Sequence, residues 1–326
     1  MRAMVITKPG GPEVLQIQQV PDPVPGDGDV LIRVRAFGVN HAETHMRKGE
    51  WPEATPISGI EAVGTVAADP SGRLAEGTKV LTIMGGLGRT RNGSYAEYTA
   101  AAAANVVPID TSLDWAELAA IPESYATAWL ALHGNLELAA GHSLLVRGAT
   151  SALGQAAVNI AREAGAQVIA TTRRADRAAL LRSLGAAHVV TETGTIADEV
   201  RGLRPGGADR VLDLVGNSVL RDSLQAVAPT GRVCQAGFLG GLGPVADFQP
   251  VFDMPSGVQF SFFGSFEVGT AAYPICAIPF QQIVANAEAG VYQAKPARVF
   301  PFEEIAEAQQ VMEVGQAGGK LVVTGA

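Results

Sequence analysis

Seven residues, Gly148-Ala149-Thr150-Ser151-Ala152-Leu153-Gly154, carry the strongest chemical signal in the chain. The apolar run Leu144-Leu145-Val146 precedes them, a helical run from Gln155 follows, and Thr171-Thr172-Arg173-Arg174 comes later. A strand, a tight turn of small residues, a helix and a second strand ending in arginines describe a dinucleotide site. Glycines let the backbone approach a pyrophosphate, and the helix N-terminus offers free N–H groups and a positive dipole end. Ser151 stands at the usual central glycine position; its small hydroxyl still permits close approach and can donate to a phosphate. A chain built for NAD normally ends the second strand in Asp or Glu, which accepts from the ribose 2′-OH. Thr172, Arg173 and Arg174 stand there instead, and arginines pair with a 2′-phosphate where a carboxylate would repel it. NADPH is the cofactor these residues imply.

More small residues fall just past strand-like runs, where ligands bind to parallel sheets. Val215-Gly216 ends Val211–Val215, Gly237-Phe238 follows Arg232–Ala236, and Phe263-Gly264-Ser265 ends Val258–Phe263. Together they outline one crevice.

The elements that must position these groups follow two rhythms. The first third is β-rich: Val30–Ala36 alternates apolar and charged residues, and short runs at Glu61–Ala67, Lys79–Ile83 and Tyr95–Thr99 are separated by turns. Many short strands punctuated by glycine and proline predict a small barrel, with Asn40–Gly49 as a helical insert. From about residue 121 strands and helices alternate. Strands are expected at Leu144–Val146, Val168–Thr172, Val189-Val190, Val211–Val215, Arg232–Ala236 and Val258–Phe263. Helices are expected at Gln155–Ala164, Ala175–Leu184, Ile196–Leu203 and Val219–Ala228, the last stopped by Pro229. This is the pattern of an α/β doubly wound parallel sheet. A helix near Pro279–Ala289 and a last strand at Lys320–Thr324 lack a nucleotide signal and are expected to rejoin the barrel. The expected domains are therefore 1–121, 122–265 and 266–326, the last returning to the first.

Composition narrows the function classes. The 326 residues carry a net charge of −8 and no Lys/Arg cluster longer than a pair, which argues against nucleic acid or an anionic membrane as partner. Two cysteines, Cys234 and Cys276, exclude a disulfide framework or a cysteine-rich zinc lobe and suit a reducing cytoplasm. The N-terminus has no signal-peptide pattern, so a cytoplasmic protein is expected.

At this point the chain resembles the medium-chain dehydrogenase/reductase superfamily, in the zinc-independent quinone oxidoreductase (zeta-crystallin-like) branch. The resemblance rests on Gly38-Val39-Asn40 with Glu43 and Arg47-Lys48-Gly49, Gly59-Ile60-Glu61-Ala62-Val63-Gly64, and Gly93-Ser94-Tyr95-Ala96-Glu97-Tyr98. Tyr125-Ala126-Thr127-Ala128-Trp129, the Gly148–Gly154 turn and Gly319-Lys320-Leu321-Val322-Val323 complete it. It implies a GroES-like β-barrel, split in sequence, joined to a Rossmann domain, with NADPH in the cleft between them. It further implies that Asn40 faces the nicotinamide ribose side and that Thr127 contacts the carboxamide. Gly148, Ser151, Leu153 and Gly154 would hold the pyrophosphate, and Arg173 and Arg174 the 2′-phosphate. Phe263 to Ser265 would line the nicotinamide end, and Lys320 would reach toward the cofactor. Relatives commonly pair the last Rossmann strand across a two-fold axis, so a homodimer through Val258–Phe263 is expected.

The departures also carry information. Zinc-dependent relatives place a cysteine and a histidine where this chain has Asn40/His41 and Ile60, so no metal is expected there. His41 and His45, four apart, share a helix face but are too few to hold zinc. Relatives that reduce enoyl thioesters carry a tyrosine where Trp51 stands, and an indole is no proton donor for that step. The reading is hydride transfer from NADPH to a small-molecule quinone or related conjugated carbonyl, with His41, His45 and Trp51 as pocket candidates and no catalytic residue assigned. Reduction of a 2-alkenal, enone or enoyl thioester is the first alternative, and a non-catalytic NADPH-binding protein is the second.

Overall fold

A computed structural model describes residues 1–51 and 53–325. The chain divides into two compact units. One comprises Met1–Ala126, Phe266–Gly290 and Ala294–Ala326, and the other Thr127–Ser265 with Val291–Gln293. The first boundary falls inside the helix Pro122–Trp129 rather than at residue 121.

In the first unit, β1 (Arg2–Ile6) and β2 (Leu15–Gln19) form an antiparallel pair. The larger sheet uses β3 (Asp29–Val39), β4 (Glu61–Ala68), β5 (Lys79–Ile83), β6 (Tyr98–Ala102) and β7 (Val106–Pro108). The strand β3 organises it. Its alternating Val30, Ile32 and Val34 are buried, Arg33 is exposed, and its last four residues are all buried. Two register shifts against β4 bend β3, so that its first half also pairs with β6. The expected strand at Tyr95–Thr99 begins only at Tyr98. Tyr95 lies outside the strand, completely buried in the core and stacked on Phe37 at 4.8 Å between ring centroids.

The second unit is a six-stranded parallel sheet. In chain order its strands are β8 (Ser143–Arg147), β9 (Gln167–Thr172), β10 (His188–Thr191), β11 (Ala208–Asp213), β12 (Val227–Gln235) and β13 (Gln259–Phe262). Their spatial order is β10-β9-β8-β11-β12-β13. The order reverses between β8 and β11, which makes the carboxyl ends of those strands the topological switch point of the doubly wound sheet. Every residue of β8 is buried, as a central parallel strand requires. The expected helix Val219–Ala228 instead ends at Ala226, because Val227 already pairs with Ala208. Pro229 is absorbed in the register shift that follows, where its missing N–H costs no ladder bond.

The chain then returns to the first unit with β14 (Arg298–Pro301) and β15 (Leu321–Thr324), giving the order β14-β15-β3-β4-β5-β7. The strands β2 and β14 and the helix Ile305–Glu313 are elements the pattern reading did not name, whereas the last strand expected at Lys320–Thr324 is β15. That helix packs Ile305 and Ala308 into the barrel core.

Candidate active site

The dinucleotide edge is built on β8 and the helix Ala152–Glu163, which begins earlier than Gln155. Gly148 adopts φ +75°, opening the turn, and a Cβ on Gly154 would lie 2.6 Å from both Ala149 Cα and Gly148 O. Ser151 is the helix N-cap: its Oγ accepts from Gly154 N at 3.0 Å, leaving its hydroxyl hydrogen available. Thr150 O accepts from the Gln155 amide at 2.9 Å, which fixes the turn from outside. The Ala152 and Leu153 amides belong to the first helical turn, whose N–H groups have no intrahelical acceptor, and they can serve an anion.

A buried ion network stands behind the turn. Arg147, fully buried at the end of β8, lies 2.8 Å from Glu192 and 2.8 Å from Asp222. Thr171 Oγ1 accepts from Gly148 N at 3.2 Å and donates to Glu192. Asp222 in turn accepts from the amides of Ile196 and Ala197. The ends of three strands and two helices are thereby tied together behind the turn. Sequence reasoning missed Arg147, Glu192 and Asp222, since nothing in spacing brings residues 147, 192 and 222 together.

Around the turn, Leu239, Leu214 and Val215 lie within 3.1–3.5 Å of the Cβ position of Gly148. Gly216 follows with its amide, like that of Val215, donating to Asp213 Oδ1. Gly237 packs against the Leu214 backbone, and the Phe238 ring lies 5.6 Å from that of Phe262. Phe263 is buried, with Gly264 and Ser265 following it at the carboxyl end of β13. Thr127 is buried in the helix Pro122–Trp129.

At the end of β9 the Thr172 hydroxyl is used locally: it accepts from Arg174 N at 3.1 Å and donates to Arg174 O. Arg173 is exposed. Arg174 is exposed too, but its guanidinium grips both oxygens of Asp176, at 3.1 and 2.6 Å. Hydrogen bonding to Arg174 holds the Asp176 carboxyl below its usual range.

In the other unit, Asn40 and Lys320 are placed in a buried polar core. Lys320 Nζ lies 2.7 Å from Asn40 Oδ1 and 2.5 Å from Glu61 Oε1. Asn40 Nδ2 also donates to Glu61 Oε1 at 2.8 Å, and Glu61 Oε2 accepts from Glu123 N. Lys320 is 4% exposed and Glu61 not at all, so this ammonium is held by a carboxylate and an amide of its own unit. Glu43 is buried beside them. It accepts from Asn40 N at 2.8 Å, Ile60 N at 3.0 Å and Tyr95 OH at 2.7 Å. Burial pushes the Glu43 carboxyl up to about 7, against the pull of those hydrogen bonds. Gln309 joins Tyr95 OH to Arg47, whose guanidinium also pairs with Glu313.

His41 and His45 open the helix His41–Lys48, their rings edge to face at 5.3 Å. Burial lowers the His41 pKa. His45 Nδ1 lies 2.5 Å from Glu50 Oε2, while its Nε2 is buried without a partner. Trp51 meets the His45 ring edge-on at 6.1 Å. Glu50 is a functional candidate that sequence reasoning passed over, although it lies one turn beyond His45.

Residues 26–111 match the model of the alcohol dehydrogenase GroES-like domain, and residues 152–280 that of zinc-binding dehydrogenases. The pig quinone oxidoreductase (Sus scrofa) is 31% identical over 99% of this chain and 97% of its own length. The chain belongs to the medium-chain dehydrogenase/reductase superfamily, in its zeta-crystallin-like branch. As a member, it is an oxidoreductase with an NAD(P)-type cofactor. Two solved structures resemble it over their whole length. A structure described as an NAD-dependent alcohol dehydrogenase is 30% identical, with TM-score 0.85 over all of both chains. A mycobacterial protein complexed with NADPH is 25% identical, with TM-score 0.88 over all of both chains.

The second family model carries zinc in its name. Among the described residues no three His, Cys, Asp or Glu side chains are placed to hold a metal. Asn40 is bonded to Lys320 and Glu61, and Ile60 is an apolar core residue.

Proposed function

We propose that this chain is a zinc-independent, NADPH-dependent reductase of quinones or related conjugated carbonyls. The observation that carries the cofactor half is the carboxyl edge of β8 and β9. A capped helix start with free amides stands beside a strand that ends in two exposed arginines and no aspartate or glutamate. The amides of Ala152 and Leu153 would hold the pyrophosphate, and Arg173 and Arg174 the 2′-phosphate. Glu192, just past the end of β10, is already engaged by Arg147 and Thr171, so it is not free for a ribose hydroxyl.

When bound, NADPH supplies the hydride. A planar, electron-poor acceptor delocalises the incoming charge over its oxygens and needs no Lewis acid, which accords with the lack of a three-ligand cluster among the described residues. What the protein must add is a proton, and His45 is the side chain arranged to hold one. Its Nδ1 lies against the Glu50 carboxylate, which orients the ring, and Nε2 would be the atom that delivers the proton. The quinone oxidoreductase relatives support the acceptor class.

The test is loss of NADPH absorbance with the purified protein against simple quinones, small enones and a trans-2-enoyl thioester, with NADH in parallel. Turnover on quinones with NADPH is expected. Turnover confined to enones or thioesters would move the activity to alkene reduction. Binding without turnover on any of them would make this a non-catalytic NADPH-binding protein. His45→Gln should lower kcat by about tenfold or more while leaving NADPH affinity unchanged.

The homodimer belongs to the same proposal. The strand β13 is the outer strand of its sheet, with Phe260 and Phe262 40% and 48% exposed on it. An unpaired apolar edge of this kind is stabilised by pairing with a second copy. Phe260→Pro should convert a dimer to a monomer in light scattering; an unchanged mass would refute the pairing.

A further inference from the structure

The three groups at the end of β9 that face a 2′-phosphate in the proposed reading are not equivalent. The Thr172 hydroxyl is closed into a turn with Arg174's own backbone. Among the described residues Arg173 has no ion pair, whereas Arg174 is taken. Its Nε and Nη2 meet Asp176 Oδ1 and Oδ2 in the two-bond, side-on geometry that a guanidinium also offers to phosphate. The carboxylate fills the edge that a 2′-phosphate would need. Both partners are about 60% exposed, Arg174 at 59% and Asp176 at 60%, so the pair is screened and readily exchanged. Arg177, next to Asp176 in the short 3-10 turn Ala175–Arg177, is half-buried. The segment from Arg173 to Arg177 therefore presents three guanidinium groups and a single carboxylate.

We propose that Asp176 is an internal competitor of the 2′-phosphate and sets how strongly this chain prefers NADPH over NADH. NADPH binds Arg174 by displacing the Asp176 carboxylate. NADH, which has a neutral hydroxyl at that carbon, leaves the Arg174–Asp176 pair closed. The energy of breaking the pair is subtracted from NADPH binding alone. The inference rests on the proposed NADPH site at the end of β9, and it assigns the residue that limits that site's selectivity. A chain of this design discriminates moderately and can use both nucleotides.

The experiment is a fluorescence titration of wild type, Asp176→Asn and Arg174→Gln with NADPH and with NADH, repeated with 2′,5′-ADP and 5′-AMP. Those shorter ligands isolate the 2′-phosphate. Asp176→Asn is expected to tighten NADPH and 2′,5′-ADP by about two- to fivefold, with NADH and 5′-AMP unchanged. Arg174→Gln should weaken NADPH and 2′,5′-ADP selectively, and adding Asp176→Asn to it should then give no gain. Equal NADPH affinity in wild type and Asp176→Asn, with Arg174→Gln still weakened, overturns the competition while leaving the NADPH reading intact. A parallel change in all four ligands overturns it as well, by making Asp176 a general structural residue; thermal melting of the two variants checks that point. If the arginine variant changes no ligand, the NADPH reading itself falls.

Discussion

The two units treat charge in opposite ways. In the barrel unit, Lys320, Glu61, Asn40, Glu43, Tyr95, Gln309 and Arg47 are buried and bonded to one another. Each group has its desolvation offset by a partner, and removing one partner strands another. Along the edge of β8 and β9 the arginines are exposed and the amides of the first helical turn have no intrahelical acceptor. Those groups contribute little to stability and are free to answer a ligand. The comparison teaches that charge density alone does not mark a binding site; what matters is whether the charge is already satisfied. Arg147 shows the point within the second unit. It lies next to the glycine-rich turn, yet its two carboxylate partners make it a brace.

If this division holds, substitutions at the edge should change ligand affinity without changing stability, and substitutions in the buried core should do the reverse. The turn itself is the exception that sharpens the rule, because there backbone geometry is the binding feature. Gly154→Val should produce the largest effect, loss of nucleotide binding by a hundredfold or more on the order-of-magnitude scale of a displaced backbone. Titration with NADPH measures it; retention of wild-type affinity would show that the helix start is not the anion site. Lys320→Met should follow, destabilising the chain by about 3–5 kcal/mol, since it leaves the Glu61 carboxylate buried and unpaired. Urea unfolding of that variant beside the double variant Lys320→Met/Glu61→Leu separates the pair's net worth from the cost of the orphan. The double variant should recover much of the loss.

Glu43 provides a test by pH. Its folded pKa of about 7 lies above the ordinary carboxylate value of 4.5. The stability it contributes is therefore fully present below about pH 4.5 and is lost as the pH rises through 7. Stability should decline from pH 5 to pH 8 by on the order of 3 kcal/mol or less from this group, and Glu43→Gln should flatten that decline. A Gln variant with the wild-type slope would assign the dependence to another residue. The smallest effect is expected for Arg173→Ala. NADPH affinity should fall several-fold with no change in melting temperature, because the side chain has no ion pair to lose. A fall in melting temperature there would break the contrast between the two regions.

Much of this was legible before any coordinates. The strand β5 was legible as a short strand-like run bounded by turns, and the helical insert expected at Asn40–Gly49 is the helix His41–Lys48 with those two residues as its caps. The glycine-rich turn and its flanking elements could be placed because each depends on residues close in sequence. The end of the helix before β12 could not, since it is set by pairing of Val227 with Ala208 rather than by Pro229.

What the sequence by itself determined is the local chemistry: two rhythms of strand and helix, a turn that admits a phosphate, and arginines at the end of the second strand where an acid is usual. Only the tertiary structure decided which of those groups are spent. Lys320 meets Asn40 across 280 positions and Arg47 meets Gln309 across 262, separations over which no periodicity carries information. Arg174 and Asp176 are only two apart, but whether a flexible, exposed pair closes depends on the backbone turn that Thr172 fixes. Partnership between charged side chains is a matter of distance in space, and distance in space is what the fold supplies.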